Sequence, residues 1–157
     1  IAIDFTDTAR TLYDKLCAAA GMLLDEILPQ LKTGKYARRK QDLNKGSYYG
    51  GRKPQDGRIF WDKSALEIYN LIRAVTEPYP GAFALADNGD KIIIWRAQPV
   101  ETAAGKTAGD VQISDKEVLV QTGKNAIRLL NIEIAGRRLT EEQISNYFTG
   151  RKVKKLQ

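Results

Sequence analysis

The segment Glu77-Pro78-Tyr79-Pro80-Gly81 constrains this chain more than any other, because no regular helix can pass through it. Each proline lacks a backbone N–H, and each pushes the residue before it toward extended backbone. The segment therefore reads as a rigid structural corner. Before it, apolar residues recur at helical spacing; after it, they fall into short runs separated by turn residues. That division predicts an α+β fold: a long N-terminal helix and a basic linker, then a small antiparallel β-barrel or sandwich with flanking helices.

On the helical side, Ile1-Ala2-Ile3 reads as the tail of a strand, which implies an upstream portion. Thr6 or Asp7 offers an N-cap, and Leu12, Leu16, Ala20, Leu23, Ile27 and Leu31 follow at three- and four-residue spacing. This is one apolar face of a long helix, expected to be a core face. Pro29 should distort it, and Gly34 should stop it. A second helix is predicted over residues 63–76, capped by Asp62 or Ser64, with Ala65, Leu66, Tyr69 and Ile72 on its buried face.

On the other side, strands are predicted over 82–86, 91–98, 110–113, 117–121 and 126–134, with Ile93 and Trp95 assigned to the core. Asp87-Asn88-Gly89-Asp90 is a hairpin signal, and Ser114-Asp115-Lys116 and Gly123-Lys124-Asn125 separate later strands. Several short strands at this spacing suggest a small barrel or sandwich. Thr140 with Gln143 three residues on marks a further helix start. Arg151, Lys152, Lys154 and Lys155 are read as a solvated basic tail.

Composition removes several chemistries. Among 157 residues there is no histidine and only one cysteine, Cys17, so imidazole bases, His-ligated zinc, Cys–His nucleophiles and internal disulfides are excluded within this chain. A single cysteine points to a reducing cytoplasm. No stretch approaches the roughly 20 apolar residues of a membrane span. With 43% apolar and 28% charged residues the composition is that of a globular domain.

The formal charge of +6 is concentrated. Lys32, Lys35, Arg38, Arg39, Lys40, Lys45, Arg52, Lys53 and Arg58 face only Asp42 and Asp56 between positions 32 and 58, while acids slightly exceed bases elsewhere. Such a segment attracts phosphates. Residues 35–58 lack apolar periodicity and should form an extended surface loop. Within it Tyr48, Tyr49, Arg52 and Lys53 are the candidate binding residues for a phosphate-bearing substrate, with arginine as a bidentate donor and tyrosine as a stacking surface. A solvated linker is the other reading. Gly50-Gly51-Arg52-Lys53 lacks the spaced glycine and the hydroxyl residue of a phosphate loop, so these glycines are read as backbone positions needing unusual dihedral angles.

The order Gly51-Arg52-Lys53-Pro54-Gln55-Asp56-Gly57-Arg58-Ile59-Phe60-Trp61, then Ile72-Arg73-Ala74, then Pro78-Tyr79-Pro80-Gly81-Ala82, resembles the C-terminal part of the folate-dependent formyltransferases. The resemblance covers nearly the whole chain and is densest between 48 and 83. Tyr49-Gly50-Gly51-Arg52-Lys53-Pro54 looks more like the branch that formylates UDP-4-amino-4-deoxy-arabinose than the methionyl-tRNA branch, although the extra glycine and Phe60, where an acidic residue is common, depart from both patterns.

The resemblance implies that residues 1–34 end a catalytic domain, 35–58 form a linker, and 59–157 form a small β-barrel likened to the oligonucleotide-binding fold. It also implies that N10-formyltetrahydrofolate and the catalytic Asn, His and Asp belong to an upstream domain. The acceptor would be a nucleotide-linked amino sugar. The alternative is the tRNA-binding C-terminal domain of a methionyl-tRNA formyltransferase, and a nucleic-acid-binding module of another class is a further reading of a barrel beside a basic, tyrosine-containing loop. The long helix would pack on the catalytic domain or on a second copy of the chain. Incubating the purified chain with formyl-tetrahydrofolate and an amino-sugar nucleotide should give no formylated product above background, and measurable turnover would refute this placement of the chemistry.

Overall fold

The computed structural model describes residues 1–102 and 107–157, which divide into two compact units, Ile1–Lys53 and Pro54–Gln157.

The first unit is built on helix α1, Ala9–Lys32. Ile1 and Ile3, read as the tail of a strand, are exposed and lie outside any strand. The helix starts one or two residues beyond the expected cap because Thr8 and Thr11 satisfy each other: Thr11 N–H donates to Thr8 Oγ1 and Thr8 N–H to Thr11 Oγ1. Asp7 is instead drawn into a cluster, accepting from Thr11 Oγ1 at 2.9 Å and from Lys15 Nζ at 2.7 Å. The bond from Lys15, then one from Asp4 N–H and, to a lesser extent, the one from Thr11 hold the pKa of its carboxyl down at about 2. Pro29 lies inside the helix, one turn from its end, so the helix continues only briefly beyond the missing N–H. Gly34 ends it as expected, with φ of +70°. Lys35 N–H bonds Gln30 O and Gly34 N–H bonds Leu31 O, the paired bonds of a Schellman motif.

No residue of α1 is buried. The stripe expected to face a core is open, with Leu16, Leu23, Ile27 and Leu31 between 38% and 64% exposed. A helix buries a stripe only against a second element, and the regular structure of this unit beyond α1 is the single turn Leu43–Lys45.

The second unit opens with a helical turn, Pro54–Gly57, followed by helix α2, Ala65–Val75. Ser64 is the cap, its hydroxyl accepting from Glu67 N–H while the Glu67 carboxylate accepts from Ser64 N–H. Ala65, Ile68, Tyr69, Ile72 and Val75 form the buried face, whereas Leu66 is 51% exposed and lies outside it. The spacing of Ile68, Ile72 and Val75 places the stripe on the side away from Leu66.

The Glu77–Pro78 peptide is cis, and β1 (Ala82–Leu85) begins just beyond Gly81. The remaining strands are β2 (Lys91–Val100), β3 (Val111–Ser114), β4 (Glu117–Gln121), β5 (Ala126–Ile134) and β6 (Arg137–Thr140), followed by helix α3 (Glu141–Arg151). Strand β6 has no counterpart in the sequence reading. Ala135-Gly136, both at positive φ, turn the chain so that it pairs back on β5 from Ile134↔Arg137 to Asn131↔Thr140.

The pairing is antiparallel throughout, in the order β1-β2-β5-β4-β3 with β6 on β5. The sheet is open, not the closed barrel expected, because β1 and β3 do not pair. Residues 154–157 lie between their ends. Gln157 exchanges two backbone bonds with Leu85, Leu156 N–H donates to Gly109 O, and Val111 N–H donates to Lys154 O. The tail read as solvated is therefore bonded to both edge strands, with Val153 and Leu156 buried in the core.

Facing along β2 also differs from expectation. Ile92 and Ile94 are fully buried, and Ile93 and Trp95 are half-buried on the other face. In a run of three isoleucines the period of two does not say which face is inside. The irregularity near Arg96 lets Ala97 rejoin the inner face beside Leu129. Ile94→Ala should lose about 2 to 5 kcal/mol in urea unfolding. Ile93→Ala should lose about 1 kcal/mol or less, and an equal loss at both would show that this facing is wrong.

Candidate phosphate-binding loop and the β5–β6 cleft

The basic segment begins where α1 ends. Arg38 folds over the Tyr36 ring at 5.6 Å and donates to its hydroxyl at 3.0 Å. Asp42 caps the turn Leu43–Lys45 by accepting from Asn44 N–H. Arg39, Lys40, Gln41, Asp42, Lys45 and Gly46 line a cleft of about 440 Å³.

The four residues singled out from sequence follow on backbone without regular structure. Tyr48 and Tyr49 are 103% and 92% exposed, and Arg52 and Lys53 are exposed as well. None of the four lines the 440 Å³ cleft, which draws on bases that the sequence reading did not select. Gly50 and Gly51 lack positive φ, and a Cβ at either would meet no atom within 4 Å, so unusual dihedral angles do not explain them.

Farther along the motif, the glycines do have a steric reason. A Cβ at Gly57 would lie 2.6 Å from Gly81 O, and one at Gly81 would lie 2.4 Å from Ile93 Cγ2 at a φ of +84°. Ile59 N–H then bonds Phe83 O at 2.8 Å. The Asp56-Gly57 and Pro80-Gly81 parts of the motif thus hold one backbone against another, while the exposed part carries the charge.

A second cleft, of about 640 Å³, opens between the β5–β6 turn and α3. Ile134, Leu139 and Tyr147 give it apolar surface, and Arg137, Gln143, Asn146 and Arg151 give it polar groups. Tyr147 Oη donates to the Asp90 carboxylate, tying α3 to the β1–β2 turn. That bond pulls the Asp90 carboxyl below its ordinary range; burial first, then the same carboxylate, push the Tyr147 phenol up. The sequence reading missed this place. Its signal was the four-residue spacing of Gln143, Tyr147 and Arg151, which puts all three on one side of a helix.

The profile of the family described as formyl transferase, C-terminal domain, matches residues 52–152. The chain belongs to that family. Similar solved structures include HypX from Aquifex aeolicus. A multiply substituted variant is 16% identical over 99% of this chain and 28% of its own, with a TM-score of 0.69. HypX in complex with tetrahydrofolic acid is 16% identical over 94% of this chain and 26% of its own, with a TM-score of 0.67. The chain thus spans about a quarter of the length of these structures. At that identity they share the fold.

Folate is the cofactor that this family implies, and among the described residues neither cleft presents a buried, unbonded polar side chain that would hold it. The buried polar side chains Thr76, Gln121 and Thr122 are bonded to backbone carbonyls, and none of them lines either cleft. Among the described residues no group of His, Cys, Asp and Glu could hold a metal ion, and no helix is long and apolar enough to cross a membrane.

The Asp90–Tyr147 bond sets a pH window. A lowered Asp90 pKa contributes stability that is fully present above the unfolded value near 4 and is lost as pH falls through the lower folded value. A raised Tyr147 pKa contributes below about 10 and is lost as pH rises through the folded value. The difference in melting temperature between the native chain and Tyr147→Phe should be largest between about pH 5 and 9 and should shrink below about pH 3. A constant difference from about pH 2 to 9 would show that the bond is not formed.

Proposed function

We propose that this chain is the C-terminal portion of a formyltransferase that moves a formyl group from N10-formyltetrahydrofolate to the amine of a nucleotide-linked amino sugar. Family membership supports the formyltransferase assignment. The observation that carries the choice of acceptor is the exposed Tyr48-Tyr49-Gly50-Gly51-Arg52-Lys53-Pro54 loop, which resembles the sugar branch and runs directly into a motif whose glycines are fixed by packing.

Arg52 and Lys53 supply cationic donors suited to a pyrophosphate, and Tyr48 and Tyr49 supply ring faces free of intramolecular packing. The chain contributes binding and orientation. With no histidine it offers no imidazole base, and we assign the catalytic Asn, His and Asp, together with the folate site, to a domain outside residues 1–157. The open stripe of α1 is the face we assign to packing on that domain.

A methionyl-tRNA acceptor would use the same charge differently. Contacts to many phosphates release many counterions, so RNA affinity would fall with salt at a log–log slope of about −0.7 per phosphate on single strands. A nucleotide sugar presents a single pyrophosphate. In the protein that joins this chain to its catalytic domain, Arg52→Ala should raise KM for the nucleotide sugar roughly tenfold with a smaller change in kcat. The isolated chain should bind tRNA only loosely at about 150 mM salt. Submicromolar tRNA affinity with a slope of several phosphates, and no effect of Arg52→Ala on the sugar reaction, would transfer the assignment to the tRNA branch.

A further inference from the structure

The unit Pro54–Gln157 is close to neutral in charge, but it places two arginines in one cleft. Two pairs of its arginines contrast. Arg128 is neutralised by Glu117 and Glu141, and Arg138 by Glu77 and Glu133 while also stacking over Trp95 at 4.7 Å. Arg137 and Arg151 differ: neither guanidinium donates a hydrogen bond or forms an ion pair with a described residue, and both line the 640 Å³ cleft. The contrast is sharpest between Arg137 and Arg138, neighbours whose side chains leave β6 on opposite faces.

The other groups in the cleft narrow what could fill it. Gln143 uses its Oε1 to accept from Thr140 N–H, which leaves its amide NH₂ as a donor. Asn146 adds a second exposed amide. Ile134, Leu139 and the Tyr147 ring form an apolar floor. The nearby acid is Asp90, whose carboxylate already accepts from Tyr147 Oη and Asn88 Nδ2; it feels the charge of Arg151 through space without bonding it. The volume falls within the range of about 300 to 1,000 Å³ common for small-ligand sites.

Two guanidinium groups without a bonded partner, two amide donors and an apolar floor make a site for an anion that also carries a flat or apolar body. The geometry points to this cleft as a binding site for a phosphoester of nucleotide size, a nucleoside diphosphate being the chemistry that fits, held by Arg137 and Arg151 with its base or sugar on Tyr147 and Leu139. This goes beyond the proposed function, which places phosphate recognition at residues 48–53 in the other unit.

The test uses the whole chain and three probes: inorganic pyrophosphate, uridine diphosphate, and a short single-stranded RNA. Binding is followed by calorimetry and by amide shifts of residues 134–151. Uridine diphosphate should bind more tightly than pyrophosphate. The double variant Arg137→Gln/Arg151→Gln should weaken it about tenfold or more. Arg137→Lys/Arg151→Lys, which keeps the charge and removes the planar fork, should recover part of that loss. Arg52→Ala/Lys53→Ala should leave these shifts unchanged, so failure of the loop assignment and failure of this one can be told apart. Both arginines are exposed, and an unchanged melting temperature will confirm that the variants fold. No shift in residues 134–151 at millimolar uridine diphosphate, a loss caused by the loop variant alone, or binding of RNA with neither small probe would each overturn the proposal.

Discussion

The contact of Gly57 with Gly81 is the constraint on which the architecture of the second unit depends. A β-carbon at Gly57 would collide with Gly81 O, so the two stretches meet there only as bare backbone, while Gly81 itself is held by its positive φ and by Ile93 and Trp95 packed over it. With the two stretches in contact, Ile59 N–H reaches Phe83 O, Ile59 and Trp61 enter the core, and α2 is laid along β2 by the chain between. Pro78 and Pro80 serve the same end by breaking the chain between helix and sheet. What reads along the sequence as a binding motif is therefore in good part a folding motif, and its exposed end, Tyr48 to Lys53, is the part proposed here to meet a ligand.

The sheet shows the complementary economy of a small domain. Strand β5 is central: it pairs with β2 along one side and shares its other side between β4 and β6. This leaves β1, β3 and β6, each of four residues, as edges; the chain end meets the first two. Edge strands expose unpaired N–H and C=O groups. Residues 154–157 take up those groups at one end, and Val153 and Leu156 anchor the segment in the core. The last residues of the chain thus act as a short bridge across an open sheet.

Charge follows a similar division between groups used internally and groups left over. Arg128 and Arg138 are held by carboxylates on neighbouring elements, and Lys15 is held by Asp4 and Asp7 at the start of α1. Exposed pairs of this kind add little to stability but do fix side-chain positions. Arg137 and Arg151 stand outside the ion pairs formed among the described residues, and with the exposed bases of the loop they mark the two places proposed here for phosphate.

How much of this was legible in advance depended on how local the cause was. Prolines, caps and turn residues act within a few positions. The corner at 77–81, the Ser64 cap, Gly34 and strands 117–121 and 126–134 could be read directly because each follows from backbone restriction or side-chain spacing in its own segment. The loop residues Tyr48, Tyr49, Arg52 and Lys53 were selected on charge and aromatic content, and the fold leaves them exposed outside either cleft. Tertiary structure alone decided which of Ile92, Ile93 and Ile94 face the core, since a period of two has no sign until another layer packs against it. It also decided that Leu66 lies outside, that the basic tail pairs with two strands, and that the sheet stays open. The cleft of Arg137 and Arg151 belongs to the same class: helical spacing put Gln143, Tyr147 and Arg151 on one side of α3, but only the β5–β6 turn folding beside them brought a second arginine from a strand that the sequence did not announce.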